Sequence, residues 1–172
     1  EGLGSLCAGK HVGTFSDFGI LSFNGNKIIT TGGGGMLLTQ NREYAQRARH
    51  VSTTAKVAHD WDFYHDQLGY NYRMPNLNAA LGLAQLEKLD GYITKKRELF
   101  VRYQAVFSGY QGVTVLEEPQ DARSNYWLQS LIFDVGYERF KEQFVERSNA
   151  RGVGTRPVWI SNSRLPHLAD SP

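Results

Sequence analysis

Lys27 stands between two apolar runs and just ahead of four consecutive glycines. The order is Phe18-Gly19-Ile20-Leu21-Ser22-Phe23-Asn24-Gly25-Asn26-Lys27, then Ile28-Ile29-Thr30-Thr31-Gly32-Gly33-Gly34-Gly35-Met36-Leu37-Leu38-Thr39. A lysine held between two buried strands is costly to keep charged, and a deprotonated lysine amine is a nucleophile that can form a Schiff base with a carbonyl. Ser22 supplies a hydroxyl five positions earlier, and Asn24 and Asn26 supply side-chain amides. The glycines remove side chains where a flat or anionic ligand could approach the backbone. Together these groups suit a phosphorylated carbonyl compound. The alternative for Lys27 alone is a solvated surface charge, and for Ser22 a strand-end hydroxyl bonded to backbone.

Three segments carry a resemblance to a known family. The first is Ser22-Phe23-Asn24-Gly25-Asn26-Lys27 with the glycine-rich run behind it. The second is Gly69-Tyr70-Asn71-Tyr72-Arg73-Met74, followed by Asn78-Ala79-Ala80-Leu81-Gly82-Leu83-Ala84-Gln85-Leu86. The third is Gly152-Val153-Gly154-Thr155-Arg156-Pro157-Val158-Trp159. The chain resembles, over nearly its whole length, the DegT/DnrJ/EryC1/StrS aminotransferases, and within them the enzymes acting on amino-sugar nucleotides for surface polysaccharides. The resemblance implies pyridoxal 5'-phosphate as cofactor, carried covalently on Lys27 with Ser22 at its phosphate. It implies that Asn71 reaches the phosphate of a neighbouring subunit's cofactor, so that the active unit is a homodimer; a turn asparagine is the alternative. Glu1 matches a position that contacts the cofactor ring or its 3′-oxygen, where glutamine or histidine is commoner in the family. Arg73 and Arg156 are candidates for a co-substrate carboxylate or a nucleotide diphosphate, because guanidinium binds such oxygens bidentately; a structural ion pair is the alternative for each. The implied reaction moves an amino group, from glutamate, to a nucleotide-linked 4-keto sugar. A relative using the same cofactor for dehydration is the runner-up, but that branch has a histidine where Lys27 stands.

The family places an Asp-Ala-Ala segment just before the position of Glu1, and its aspartate keeps the cofactor's ring nitrogen protonated. The chain is therefore expected to be an internal fragment, and a catalytically incompetent piece that keeps the fold and the dimer surface is a second reading.

Composition bounds the remaining possibilities. The 172 residues are 41% hydrophobic and 12% aromatic, with a net charge of +2 and no basic run, so nothing points to nucleic acid. The single Cys7 excludes an internal disulfide and argues for a reducing, cytoplasmic setting. No apolar run approaches the roughly 20 residues of a membrane helix. His50, His59 and His65 lack metal-ligand spacing, so no metal is expected. The Gly32 to Gly35 run is not a phosphate-binding loop of the P-loop type, because no Lys-Ser/Thr follows it, and no Gly-x-Ser-x-Gly appears.

The elements that must position these residues are α/β in pattern. Residues 18–23 and 35–39 read as two short buried strands, and residues 42–50 as a surface helix. Residues 51–67 lack a period and read as a long loop, either near a site or simply packed. Residues 76–108 carry helical spacing throughout and read as one long helix with Pro75 at its start. Residues 113–116 and 126–135 read as strands, residues 137–151 as a helix ended by Gly152, and residues 153–159 as a strand-like piece. The resemblance implies part of the large domain of a fold-type-I pyridoxal-phosphate transferase over residues 1–110. Part of a smaller α+β C-terminal domain follows over residues 111–172, with the boundary near residues 109–112.

Overall fold

The computed structural model describes residues 1–168, so the last four residues of the 111–172 portion lie outside it. In chain order the elements are β1 (Leu6–Cys7), β2 (Lys10–His11), β3 (Gly19–Ser22), β4 (Gly35–Leu38), α1 (Arg42–Ser52), α2 (Asn76–Leu86), α3 (Leu89–Phe107), β5 (Val113–Val115), β6 (Ala122–Arg123), β7 (Leu131–Phe133) and α4 (Glu138–Ala150), then two 3-10 turns at Asn162–Arg164 and Pro166–Leu168. The architecture is mixed α/β, as expected.

β3 and β4 form an antiparallel pair that runs from Gly19 opposite Leu38 to Ser22 opposite Gly35. The loop between them holds Lys27. This hairpin is less buried than the apolar runs suggest: Leu21 is buried, but Ile20, Met36 and Leu37 are exposed. Side chains alternate across a strand, and only one face of the pair packs within this chain. That face joins Leu21, Phe23 and Ile29 into a core with Leu3, Leu38, Met74, Leu89 and Tyr92.

The long helical segment is two helices. Lys88 leaves helical dihedrals (φ −105°, ψ 3°) between α2 and α3. No proline or glycine marks the break, so periodicity alone reads through it. The break lets the helices serve different neighbours. α2 lies against the lysine loop, while α3 spans from the first core at Leu89 and Tyr92 to a second one built on Phe100, Val115 and Tyr126. Phe100 and Tyr126 stack with ring centroids 3.9 Å apart.

The expected strand over residues 126–135 shrinks to Leu131–Phe133, paired antiparallel with β5. Side chains take the backbone groups upstream. Asn125 Oδ1 accepts from Trp127 N at 2.9 Å, Ser124 Oγ accepts from Tyr126 N at 3.0 Å, and Tyr126 sits at φ 45°. Such local bonds compete with a ladder. The strand-like piece at 153–159 is likewise no strand: Asn149 Nδ2 donates to Thr155 O at 2.8 Å, and Ser148 Oγ meets Thr155 Oγ1 at 2.5 Å. β6 pairs with β1, so residues on either side of 109–112 share one small sheet of order β2-β1-β6.

Residues 53–71 form a pinned loop. Isolated bridges join Thr53 to Asn71 and Lys56 to His65. His50 Nε2 meets Asp66 Oδ1 at 2.7 Å, and His65 Nδ1 bonds to Thr54 O at 2.7 Å. The histidines thus serve the loop's own architecture.

Candidate active site

The lysine loop is fixed by its own backbone and by α2. Phe23 N donates to Gly34 O at 3.0 Å and Thr31 N to Phe23 O at 3.0 Å, which closes the loop's base. Buried Ile29 and Thr31 anchor its return. From α2, Gln85 Oε1 accepts from Thr30 N at 2.9 Å, and Asn78 Nδ2 donates to Thr31 O at 2.5 Å. A Cβ on Gly82 would sit 2.7 Å from Thr31 Cγ2, so a bare α-carbon lets the helix come this close.

The glycine run has more than one role. Gly32 and Gly34 take φ values of +80° and +104°, where other residues are strained. A Cβ on Gly35 would meet Leu21 O at 2.6 Å, whereas one on Gly33 or Gly25 would meet nothing within 4 Å. Backbone geometry therefore explains three of the four positions. Open approach for a ligand remains at Gly33 and at Gly25 beside the lysine.

Lys27 reaches the position with its backbone turned by a bond from its N–H to Asn24 O at 3.1 Å. Its Nζ lies 2.6 Å from Glu1 Oε1 and 4.3 Å above the centre of the Trp127 ring. The lysine side chain is only 13% exposed, while Glu1 is 47% exposed. Glu1 is thus placed on the lysine amine itself. Ser22 Oγ has one long contact, from Asn24 N at 3.5 Å, so its hydroxyl keeps donor capacity for a ligand.

Trp127 escaped the sequence reading. It is 9% exposed and donates Nε1–H to Asn26 O, the residue before Lys27, at 2.7 Å. Its own carbonyl accepts from Lys96 Nζ at 2.9 Å. Trp127 stacks with Trp159 at 6.5 Å and 19°, and Arg156 lies 4.4 Å over the Trp159 ring. Arg156 is thereby joined to the lysine through two indoles. Asn125, also missed, donates to Glu1 O at 2.8 Å and to Leu3 O at 2.9 Å. The usable signal was Ser124-Asn125, a turn-forming pair directly before two aromatic residues.

Asn71 and Arg73 are not brought to Lys27. Asn71 is exposed and bridges to Thr53. Arg73 lines an open cleft of about 930 Å³ with β4 and α1 residues such as Met36, Leu38 and Arg49, and Lys27 does not line that cleft. The chain therefore brings Glu1 to the Lys27 amine, keeps Ser22 where β3 enters the lysine loop, links Arg156 to the lysine through two indoles, and holds Asn71 and Arg73 elsewhere. A primary amine with a carboxylate beside it, an available hydroxyl and bare backbone fit a ligand with a carbonyl at one end and an anionic group at the other.

Known proteins resemble this chain in sequence and fold. The chain is 39% identical over 170 residues to a GDP-perosamine synthase of Escherichia coli O157:H7, covering 99% of this chain and 45% of that protein. It is 40% identical over 161 residues to a Bacillus subtilis protein named as a pyridoxal phosphate-dependent aminotransferase, EpsN, covering 92% of this chain and 40% of that one. Among solved structures, the aminotransferase TlmJ from Streptoalloteichus hindustanus superposes with a TM-score of 0.86 at 27% identity, over 95% of this chain and 44% of that one. The chain thus spans under half the length of the relatives it matches. The model of the DegT/DnrJ/EryC1/StrS aminotransferase family matches residues 1–171, and the chain belongs to that family.

Proposed function

We propose that this chain is the lysine-bearing part of a pyridoxal-phosphate aminotransferase that places an amino group, given by glutamate, on a nucleotide-linked 4-keto sugar destined for surface polysaccharide or a related sugar. The observation that carries the reading is the Lys27 amine, 13% exposed and held by Glu1 Oε1 at 2.6 Å in a loop with Ser22 and open glycines. The GDP-perosamine synthase among its relatives supports a nucleotide-linked sugar as the substrate class.

When bound, pyridoxal phosphate supplies an electrophilic aldehyde and a ring that withdraws electrons from the carbon bearing the amine. Lys27 is the residue that would hold it. Glu1 Oε1 is placed to take the proton that Lys27 must shed before its nitrogen lone pair can attack a carbonyl. Lys27 Nζ would also serve as the base and acid that moves the proton at the amine carbon. Ser22 would donate its hydroxyl to the phosphate, and the bare backbone at Gly25 and Gly33 leaves open space in the same loop.

Asn71, exposed and apart from Lys27, serves the phosphate site of a second copy, so the active unit is a homodimer. Arg156 and Arg73 receive the sugar diphosphate or the donor's carboxylate. Residues 1–110 belong to the cofactor-binding large domain and residues 111–172 to the smaller one.

The test is Lys27→Ala in the full-length protein that contains this chain. The variant is expected to lose the near-ultraviolet and visible absorbance of bound cofactor together with turnover of a nucleotide-linked keto sugar. Transamination retained by that variant ends the reading.

A further inference from the structure

We propose that Trp127 is a positioning residue for Lys27, and that the turn at residues 125–127 sets both partners of the lysine amine; this rests on the role given to Lys27 above. Trp127 meets the lysine loop in two ways, once at Asn26 and once at the Lys27 amine. Its Nε1–H anchors the peptide just before Lys27, at Asn26 O, and its ring face lies 4.3 Å under the Lys27 ammonium. The indole is fixed in turn. Asn125 Oδ1 holds Trp127 N, Lys96 Nζ holds Trp127 O, and Trp159 stacks on the ring.

Asn125 is also the residue whose Nδ2 binds Glu1 O and Leu3 O, and whose N–H is accepted by Ser5 Oγ at 2.9 Å. One side chain of this turn therefore places the peptide bearing the lysine's carboxylate partner, and the next but one places the lysine. The bonds cross 124 and 101 positions of sequence. A tryptophan that merely filled a core would need neither an indole donor aimed at Asn26 nor a cation over its face.

The experiment is competitive acetylation of the protein without cofactor, using acetic anhydride. Lys27 labelling is read by mass spectrometry against the exposed Lys10 and Lys95. In Trp127→Leu, loss of the ring and the donor raises the Lys27 ratio roughly threefold to tenfold. Trp127→Phe keeps a ring and loses only the donor, and its ratio rises less, roughly twofold. If Trp127→Leu does not fold, the phenylalanine variant decides alone. A ratio unchanged in a folded variant overturns the proposal, as does an equal rise at all three lysines. The functional reading is tested separately, by cofactor capture at Lys27 in the unaltered protein, which can succeed while these ratios stay flat.

Discussion

Asn125 donates its side-chain amide to the Glu1 carbonyl at 2.8 Å, across 124 positions of sequence. The same nitrogen donates to Leu3 O at 2.9 Å, and the residue is 4% exposed. The beginning of the described chain is thus bonded into the turn that carries Trp127, and Glu1 reaches the lysine from that anchorage.

Asn125→Ala leaves the carbonyls of Glu1 and Leu3 and the backbone N–H of Trp127 without this partner. Removing a buried hydrogen-bonding side chain costs about 1–3 kcal/mol. Urea unfolding should show a loss of that size with an unchanged slope. Equal stability of the variant would mean that water replaces the amide.

Glu118 gives the fold an acid-sensitive clasp. Arg97 Nη1 and Nη2 grip its two oxygens at 2.8 and 2.7 Å, and Ser124 N donates to it at 2.6 Å. The hydrogen bond from Arg97, foremost, holds the Glu118 carboxyl below its ordinary value of 4.5, against the opposing effect of burial. A carboxyl depressed in the folded state contributes stability that is present above its unfolded value and lost as pH falls through the folded one. Stability is therefore expected to be flat in this respect above about pH 5 and to decline below the ordinary value. Glu118→Gln should weaken that acid decline in a pH series of thermal melts. An identical acid limb in variant and parent would contradict the assignment.

Gly69 opens the Gly-Tyr-Asn-Tyr-Arg-Met segment because there is no room for a side chain. A Cβ there would press on Ala55 N and the Thr54 carbonyl carbon and lie 2.8 Å from Ala55 Cβ, and Ala55 is fully buried. Backbone cannot yield as a flexible side chain can, so Gly69→Ala should destabilise by about 1–3 kcal/mol. Calorimetry checks this. Because Tyr70 N and O bond to Val51 O and Thr54 N, the shift should also loosen the Thr53–Asn71 bridge, seen as faster amide exchange there.

Much of this was legible in sequence. Lys27 could be found because its type, its neighbours Ser22 and Asn24, and the glycines behind it lie within one short segment. The β3–β4 pair and α1 followed from patterning, and Gly152 at φ +78° ends α4 as read. What stayed hidden depends on long-range contacts. The helix break at Lys88 carries no local breaker. The turn at residues 125–127 runs into the stretch read as strand from residue 126, and only the bonds of the Asn125 side chain to the far end of the chain show where the turn ends. Glu1 could be aligned to a cofactor-contacting position, but its carboxylate on Lys27 could not be inferred. Trp127 lies within the stretch read as strand, and nothing local in sequence shows that its indole reaches Asn26 and the Lys27 amine.

Ser22→Ala tests the anion end of the site. Its hydroxyl has a single weak internal contact, so the substitution should leave stability within about 0.5 kcal/mol. A hydrogen bond to a charged group contributes about 1.5–3 kcal/mol. Cofactor affinity by fluorescence titration should therefore fall roughly tenfold to a hundredfold. An unchanged affinity would remove Ser22 from the phosphate site.

The most direct test of the central claim is borohydride trapping. The full-length protein containing this chain is incubated with pyridoxal phosphate, reduced and digested, and the pyridoxyl mass is located by peptide sequencing. The account predicts one dominant adduct, on the Lys27 amine beside Glu1 and Trp127. An adduct on another lysine, with Lys27 unmodified in protein that has bound cofactor, would contradict it.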